Sequence, residues 1–180
     1  MKHPVRWVAL AAGAVVVVLA VVLAMQVGDD PREDANRSHL VGKAAPAFDL
    51  PAADGGRLRS ADSAGDVVVV NFWNSWCIPC QQEHDALVDF YDRHAGEPGF
   101  QMVGIVRDDT KSAVRSYIAA EELPYPVAFD PGNRAALDYG TRGQPETYVI
   151  SPDGVIAASK YGPSTSEQLE EMYRVAKGAL

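Results

Sequence analysis

The chain has 180 residues, is 47% hydrophobic, and sets 16 Lys and Arg against 24 Asp and Glu for a formal net charge of -8. That balance argues against nucleic acid and anionic lipid surfaces as partners and leaves neutral or basic proteins open, while the length fits one domain with an accessory segment. The only two cysteines are Cys77 and Cys80, so any intrachain disulfide is that pair.

Lys2, His3 and Arg6 precede an unbroken apolar run from Trp7 to Met25. At roughly 1.5 Å per residue the run is long enough for a hydrocarbon core of roughly 30 Å. Cleaved signal peptides have a shorter apolar region, about 7–15 residues, and the small-residue pattern near Ala24 is a poor cleavage site. No cysteine follows the run directly, which excludes a lipoprotein anchor. Residues 1–27 are therefore expected to be a single-pass signal-anchor, a transmembrane helix in the cell membrane. The basic flank would be cytoplasmic and the remainder extracytoplasmic, where disulfides persist. Residues 28–40, polar and aperiodic, read as a flexible tether with a coil span on the order of 20 Å. Residues 41–180 are the folded domain.

Ala47 to Leu50 alternates as a short strand, Asp54-Gly55-Gly56 is a hairpin turn and Arg57 to Arg59 the return strand. Val67 to Trp73 is a strand whose continuous apolar character fits a sheet covered on both faces. A helix over Cys80 to His94 follows, closed by Gly96 and Pro98. Phe100 to Val106 is a second buried strand. Asp109 or Thr110 caps a helix from Lys111 to about Glu122, and Pro124 and Pro126 break it. Val127 to Phe129 is a short strand and Asn133 to Tyr139 a short helix. After the turn Gly143-Gln144-Pro145 come strands Glu146 to Ser151 and Val155 to Tyr161, joined at Pro152-Asp153-Gly154. Ser164 with Glu167 makes a capping box for a last helix to about Ala176. Parallel strands with crossover helices, followed by an antiparallel edge, make an α/β fold of thioredoxin type with an N-terminal β-hairpin.

Strand, polar turn, C-x-x-C, helix is the context that turns a weak pattern into a redox site. Cys77 would sit where helix-start N–H groups stabilise a thiolate. Cys80 lies one turn on, on the same face. Pro79 falls in the first turn, where a missing N–H costs little. Cys77 is the expected nucleophile and Cys80 the resolving thiol, with no cofactor needed. A zinc site would need two further ligands, and the exported part offers only His39, His84 and His94; no metal is expected. Glu83, three residues beyond Cys80, shares its face, and burial would raise its pKa for proton exchange. His84 reads as a surface histidine. Trp76 is expected to shield Cys77 and offer clients an apolar patch, Trp73 to pack in the core, and Asn74 to serve the turn. Asp108 and Asp109 lie near the site's edge, Asp109 as a helix cap.

The motif F-W-N-S-W-C-I-P-C-x-x-E, with A-P-A-F-D-L before it and G-Q-P-E-T-Y-V-I-S-P-D-G after it, resembles the TlpA/ResA/CcmG (DsbE) group of membrane-anchored thiol:disulfide oxidoreductases. The resemblance covers about Val41 to Ala176. It implies a reductant for client protein disulfides, best known for apocytochrome c before haem attachment, recharged by a membrane dithiol donor of CcdA or DsbD type. It implies a proton-exchanging role for Glu83 and a cis bond at Pro145, facing the disulfide. The Gln144 backbone would then pair with an extended client, and Glu146 would shape client charge preference. A monomer is expected. Of the rival readings, a general extracytoplasmic reductant shares every one of these residues, and a DsbA-type oxidase shares the fold and differs in reduction potential. A Sco-type copper chaperone needs C-x-x-x-C and a later histidine than His94. A peroxidase needs Pro and Thr or Ser where this chain has Val70 and Asn74.

Overall fold

The computed structural model describes residues 4–26 and 38–178. It divides into two compact units, Met1–Ala35 and Asn36–Leu180. In the first, Pro4–Gln26 forms one α-helix of 23 residues, α1. Its described side chains, Trp7 and those of residues 12–22, are exposed. Among the described residues no helix is long and apolar enough to cross a membrane. Most of the expected tether, residues 28–37, lies outside the described residues. Its last part, Ser38 to Leu40, belongs to the second unit: Ser38 is buried and its N–H donates to Ser159 Oγ at 2.7 Å.

The second unit begins with an antiparallel hairpin, β1 (Asp49–Pro51) and β2 (Arg57–Arg59). Its turn is closed by the Gly56 N–H donating to Asp54 Oδ1 at 3.0 Å, with Gly55 at φ +101°, where a side chain is strained. Five strands then make the main sheet: β3 (Val67–Trp73), β4 (Phe100–Val106), β5 (Val127–Phe129), β6 (Glu146–Ile150) and β7 (Ile156–Tyr161). Their order is β5-β4-β3-β6-β7. β3 pairs in parallel with β4 and antiparallel with β6, so the sheet is mixed and β3 is its centre. All seven residues of β3 are buried, as the apolar run requires when both faces are covered.

The pleat sorts this strand into two cores. Val67, Val69 and Trp73 face α2 (Ile78–His94), α3 (Lys111–Ala120) and α5 (Ser166–Lys177), meeting Leu87, Phe90, Val114, Leu169 and Tyr173. Val68, Val70 and Phe72 face the hairpin and α4 (Arg134–Asp138), meeting Leu50, Ala135, Tyr139 and Tyr148. Each fully buried valine is worth about 1.5–3 kcal/mol. Phe72 stands between the rings of Tyr139 and Tyr148, at centroid distances of 5.3 and 5.9 Å.

Three departures from expectation at helix ends have a clear local reason. α2 starts at Ile78, because the Cys77 sulfur itself accepts the Cys80 N–H at 3.2 Å and caps it. α3 stops at Ala120 rather than Glu122: Glu122 adopts φ +49°, and the Leu123 N–H turns back to the Ile118 carbonyl. The capping box of α5 is Thr165 with Gln168, one residue later than Ser164 with Glu167. The Ser164 N–H is committed elsewhere, to Glu83.

Candidate active site

β3 delivers the chain to the redox pair. Beyond Trp73 the backbone turns, with the Cys77 N–H donating to the Asn74 carbonyl at 3.3 Å. Asn74 Nδ2 donates to the Arg107 carbonyl at 3.3 Å and ties the turn to the end of β4. Asp109 holds it from outside: Oδ2 accepts the Ser75 N–H at 2.7 Å and the Ser75 hydroxyl at 2.8 Å. Thr110 rather than Asp109 caps α3. The acidic residue expected as a helix cap is therefore a brace for the active-site turn.

Cys77 and Cys80 form a disulfide, their Cα atoms 5.2 Å apart. The pair lies at the N-terminus of α2, with Pro79 in its first turn. Helix-start N–H groups and the dipole favour negative charge there, which lowers a thiol's pKa. Opposite lies the loop before β6. The Gln144–Pro145 peptide is cis, and the Gln144 carbonyl oxygen is 3.7 Å from Cys77 Sγ. Trp76, 58% exposed, and Ile78, 67% exposed, present apolar surface on either side of Cys77. Trp76 Nε1 donates to the Asp108 carbonyl at 3.1 Å. Asp108 adopts φ +50°, and its carboxylate accepts from Asn133 at 2.5 Å.

Glu83 lies one turn beyond Cys80 on α2, 1% exposed. It accepts from Asn71 Nδ2 at 2.8 Å and from the Ser164 N–H at 2.8 Å. Burial pushes its pKa up to about 7, against the opposing pull of those two hydrogen bonds and the Lys160 charge. A carboxyl poised there exchanges protons at neutral pH. Asn71 and Ser164 were not singled out in the sequence. Asn71 had a signal, as the one polar side chain in an otherwise apolar strand. Ser164, 81 positions from Glu83, had none.

Two expectations change. Glu146 does not meet clients through solvent, because it is 0% exposed. It occupies the β6 face opposite Thr147, since strand neighbours alternate, and it accepts from the Arg142 N–H at 2.9 Å and the Tyr148 hydroxyl at 3.0 Å. His84 is only partly exposed, its ring edge-on to Tyr117 at 6.0 Å. Trp73 packs in the core, tilted on Tyr117 at 5.3 Å. No group of His, Cys, Asp and Glu among the described residues could hold a metal ion.

Residues 41–159 match the AhpC/TSA family. The chain is 33% identical over 131 residues to the thiol-disulfide oxidoreductase ResA of Bacillus thuringiensis subsp. konkukian, covering 73% of this chain and 75% of that one. Its identity to the thiol:disulfide interchange protein DsbE of Allochromatium vinosum is 37% over 137 residues, covering 74% and 72%. Among solved structures, a thiol:disulfide interchange protein of the thioredoxin family from Chlorobium tepidum TLS matches with a TM-score of 0.66 at 28% identity, covering 77% and 97%. With a cysteine pair at the strand-to-helix turn of a thioredoxin-like sheet, the chain belongs to the AhpC/TSA family and is a thiol:disulfide oxidoreductase of the ResA and DsbE kind.

Proposed function

We propose that this protein is a membrane-anchored extracytoplasmic reductant that opens disulfides in client proteins, foremost the haem-binding cysteine pair of apocytochrome c. The observation that carries the reading is Glu83, a carboxyl buried one helical turn beyond Cys80 and held near neutrality. The Cys77 thiolate attacks one client sulfur, forming a mixed disulfide and releasing the other client sulfur as a thiolate. Cys80 then gives up its proton, for which the Glu83 carboxyl is one available acceptor, and attacks Cys77 Sγ. The second client thiolate leaves, and the two electrons have passed from the Cys77–Cys80 dithiol to the client. Trp76 and the Gln144 carbonyl receive the client chain beside the pair, in the strand-addition mode. Residues 1–27 anchor the protein: the apolar run from Trp7 to Met25 in the sequence matches a hydrocarbon core of roughly 30 Å. A membrane dithiol carrier of the CcdA or DsbD type restores the reduced form.

Two measurements test this. The reduction potential of the pair against a dithiol buffer should lie near that of thioredoxin, about −270 mV; a value near about −120 mV would make the protein an oxidase. With a peptide bearing an oxidised C-x-x-C-H, Cys80→Ala should accumulate a mixed disulfide and Cys77→Ala should form none. Accumulation by Cys77→Ala instead would reverse the two roles.

A further inference from the structure

Behind Cys80 is a small cavity of about 10 Å³, lined by Asn71, Trp73, Cys80, His84, Leu87, Tyr117 and Tyr125. That is about the least room that admits one water molecule. Two buried atoms of its lining residues have no hydrogen-bond partner: Asn71 Oδ1, which can only accept, and Trp73 Nε1, which can only donate. Asn71 is 0% and Trp73 4% exposed, and buried polar atoms rarely go unpaired. Asn71 and Trp73 lie two apart on β3 and so face the same side of the sheet. A single water within reach of both would satisfy them and keep a donor and an acceptor to spare.

The lining supplies the groups for those spare bonds. Cys80 and His84 are four apart on α2 and share a helix face. His84 also borders the surface groove formed with Asp85, Asp92, Glu121 and Glu122. His84 therefore borders both the buried cavity and the surface groove, with its ring edge-on to Tyr117. Burial raises the pKa of both Tyr117 and Tyr125, so neither hydroxyl competes as a base at neutral pH. Glu83 approaches Asn71 from the other end of the amide, through Nδ2.

We propose that a water held by Asn71 Oδ1 and Trp73 Nε1 links Cys80 to His84, and that His84 is the outlet by which the Cys80 proton reaches solvent. This deepens the disulfide-exchange reading and rests on it. As Cys80 attacks Cys77 Sγ, its proton passes to the water, the water passes one of its own to a ring nitrogen of His84, and the other ring nitrogen releases one to solvent. The departing client thiolate takes a proton back from solvent, so the count closes. His84 acts on the thiol through the water and touches no substrate.

The test is a single turnover of the full reduced chain, in detergent, with an aromatic disulfide that releases one coloured thiol per step. The first release reports attack by Cys77 and the second reports resolution by Cys80. His84→Ala should leave the first phase and the reduction potential unchanged. The second phase should slow by about tenfold, short of the roughly 10²–10⁴-fold of direct general acid–base catalysis because Glu83 and bulk water remain as slower routes. Imidazole added to the buffer should restore the rate in proportion to its concentration, which a packing defect would not allow. His84→Gln, which keeps the bulk, should slow the same phase. A second phase at the wild-type rate in both variants overturns the outlet. Cys80→Ala separates the two readings: if it retains a second phase, disulfide exchange by this pair is itself wrong. If it loses that phase while both His84 variants keep theirs, only the outlet falls.

Discussion

Glu83 makes the stability of the oxidised fold depend on pH in a direction opposite to that of most carboxylates. Burial raises its pKa from 4.5 to about 7. Over that interval the folded chain still holds a proton that the unfolded chain has released. Native stability is therefore undiminished below pH 4.5, declines as pH rises from 4.5 to about 7, and levels off above. Each tenfold change in proton affinity is worth about 1.4 kcal/mol, so the whole decline is about 3 kcal/mol; with the side chain 1% exposed, solvent screening removes little of it. Glu97 has the other sign. Hydrogen bonds from His94, Lys177 and Tyr173 hold its pKa down at about 2, so its contribution is present above pH 4.5 and lost as pH falls towards 2, outside the Glu83 window.

The perturbation is Glu83→Gln, which has no proton to exchange. It is accommodated if the Asn71 amide inverts, so that the unpartnered Oδ1 accepts from the introduced amide and from the Thr147 hydroxyl, now 3.0 Å from Nδ2. The oxygen of the introduced amide keeps the Ser164 N–H. Urea unfolding of the oxidised full chain, followed by tryptophan fluorescence between pH 4.5 and 7.5, measures both proteins. The wild type should lose about 3 kcal/mol relative to the variant across that range. Parallel curves would refute a Glu83 that is buried and proton-exchanging near neutrality.

Two further substitutions probe the scaffold. A Cβ at Gly104 would lie 2.6 Å from Trp73 Nε1, so Gly104→Ala should destabilise by about 1–3 kcal/mol through overpacking; an unchanged urea midpoint would show that Trp73 can move aside. Asp109→Ala removes the acceptor for the Ser75 N–H and hydroxyl and, at a partly exposed site, should cost about 1–2 kcal/mol. It should also alter the fluorescence of Trp76, whose turn it braces; a spectrum and midpoint like those of wild type would remove Asp109 from that role.

Where chemistry was local, it was legible in the chain. The valine run and its end at Trp73 mark β3 without ambiguity, because a strand covered on both faces has no polar residue to spare. The one it carries, Asn71, was the visible sign of a buried polar partner. The partner's other ligand, Ser164, is fixed only when α5 packs against α2, and no local pattern encodes that. Glu146 misled because its neighbour Pro145 is at the active site, whereas a strand turns each successive side chain to the opposite face. Asp109 misled in the same way: it precedes a helix, and its contacts lie across space on the turn after β3.

The placement of β3 makes the redox poise of this protein accessible without an electrode. With hydrogen-bonded neighbours on both edges and no exposed residue, its central amides, such as those of Val69 and Val70, exchange hydrogen only when the whole sheet opens. Their exchange free energies in the oxidised and reduced protein therefore report global unfolding of each form. The difference between the two closes a thermodynamic cycle with the same cysteine pair in the unfolded chain. About 1.4 kcal/mol of that difference corresponds to about 30 mV. A reduced form with the slower exchange would mark a fold that holds its electrons, and an oxidised form with the slower exchange one that gives them away.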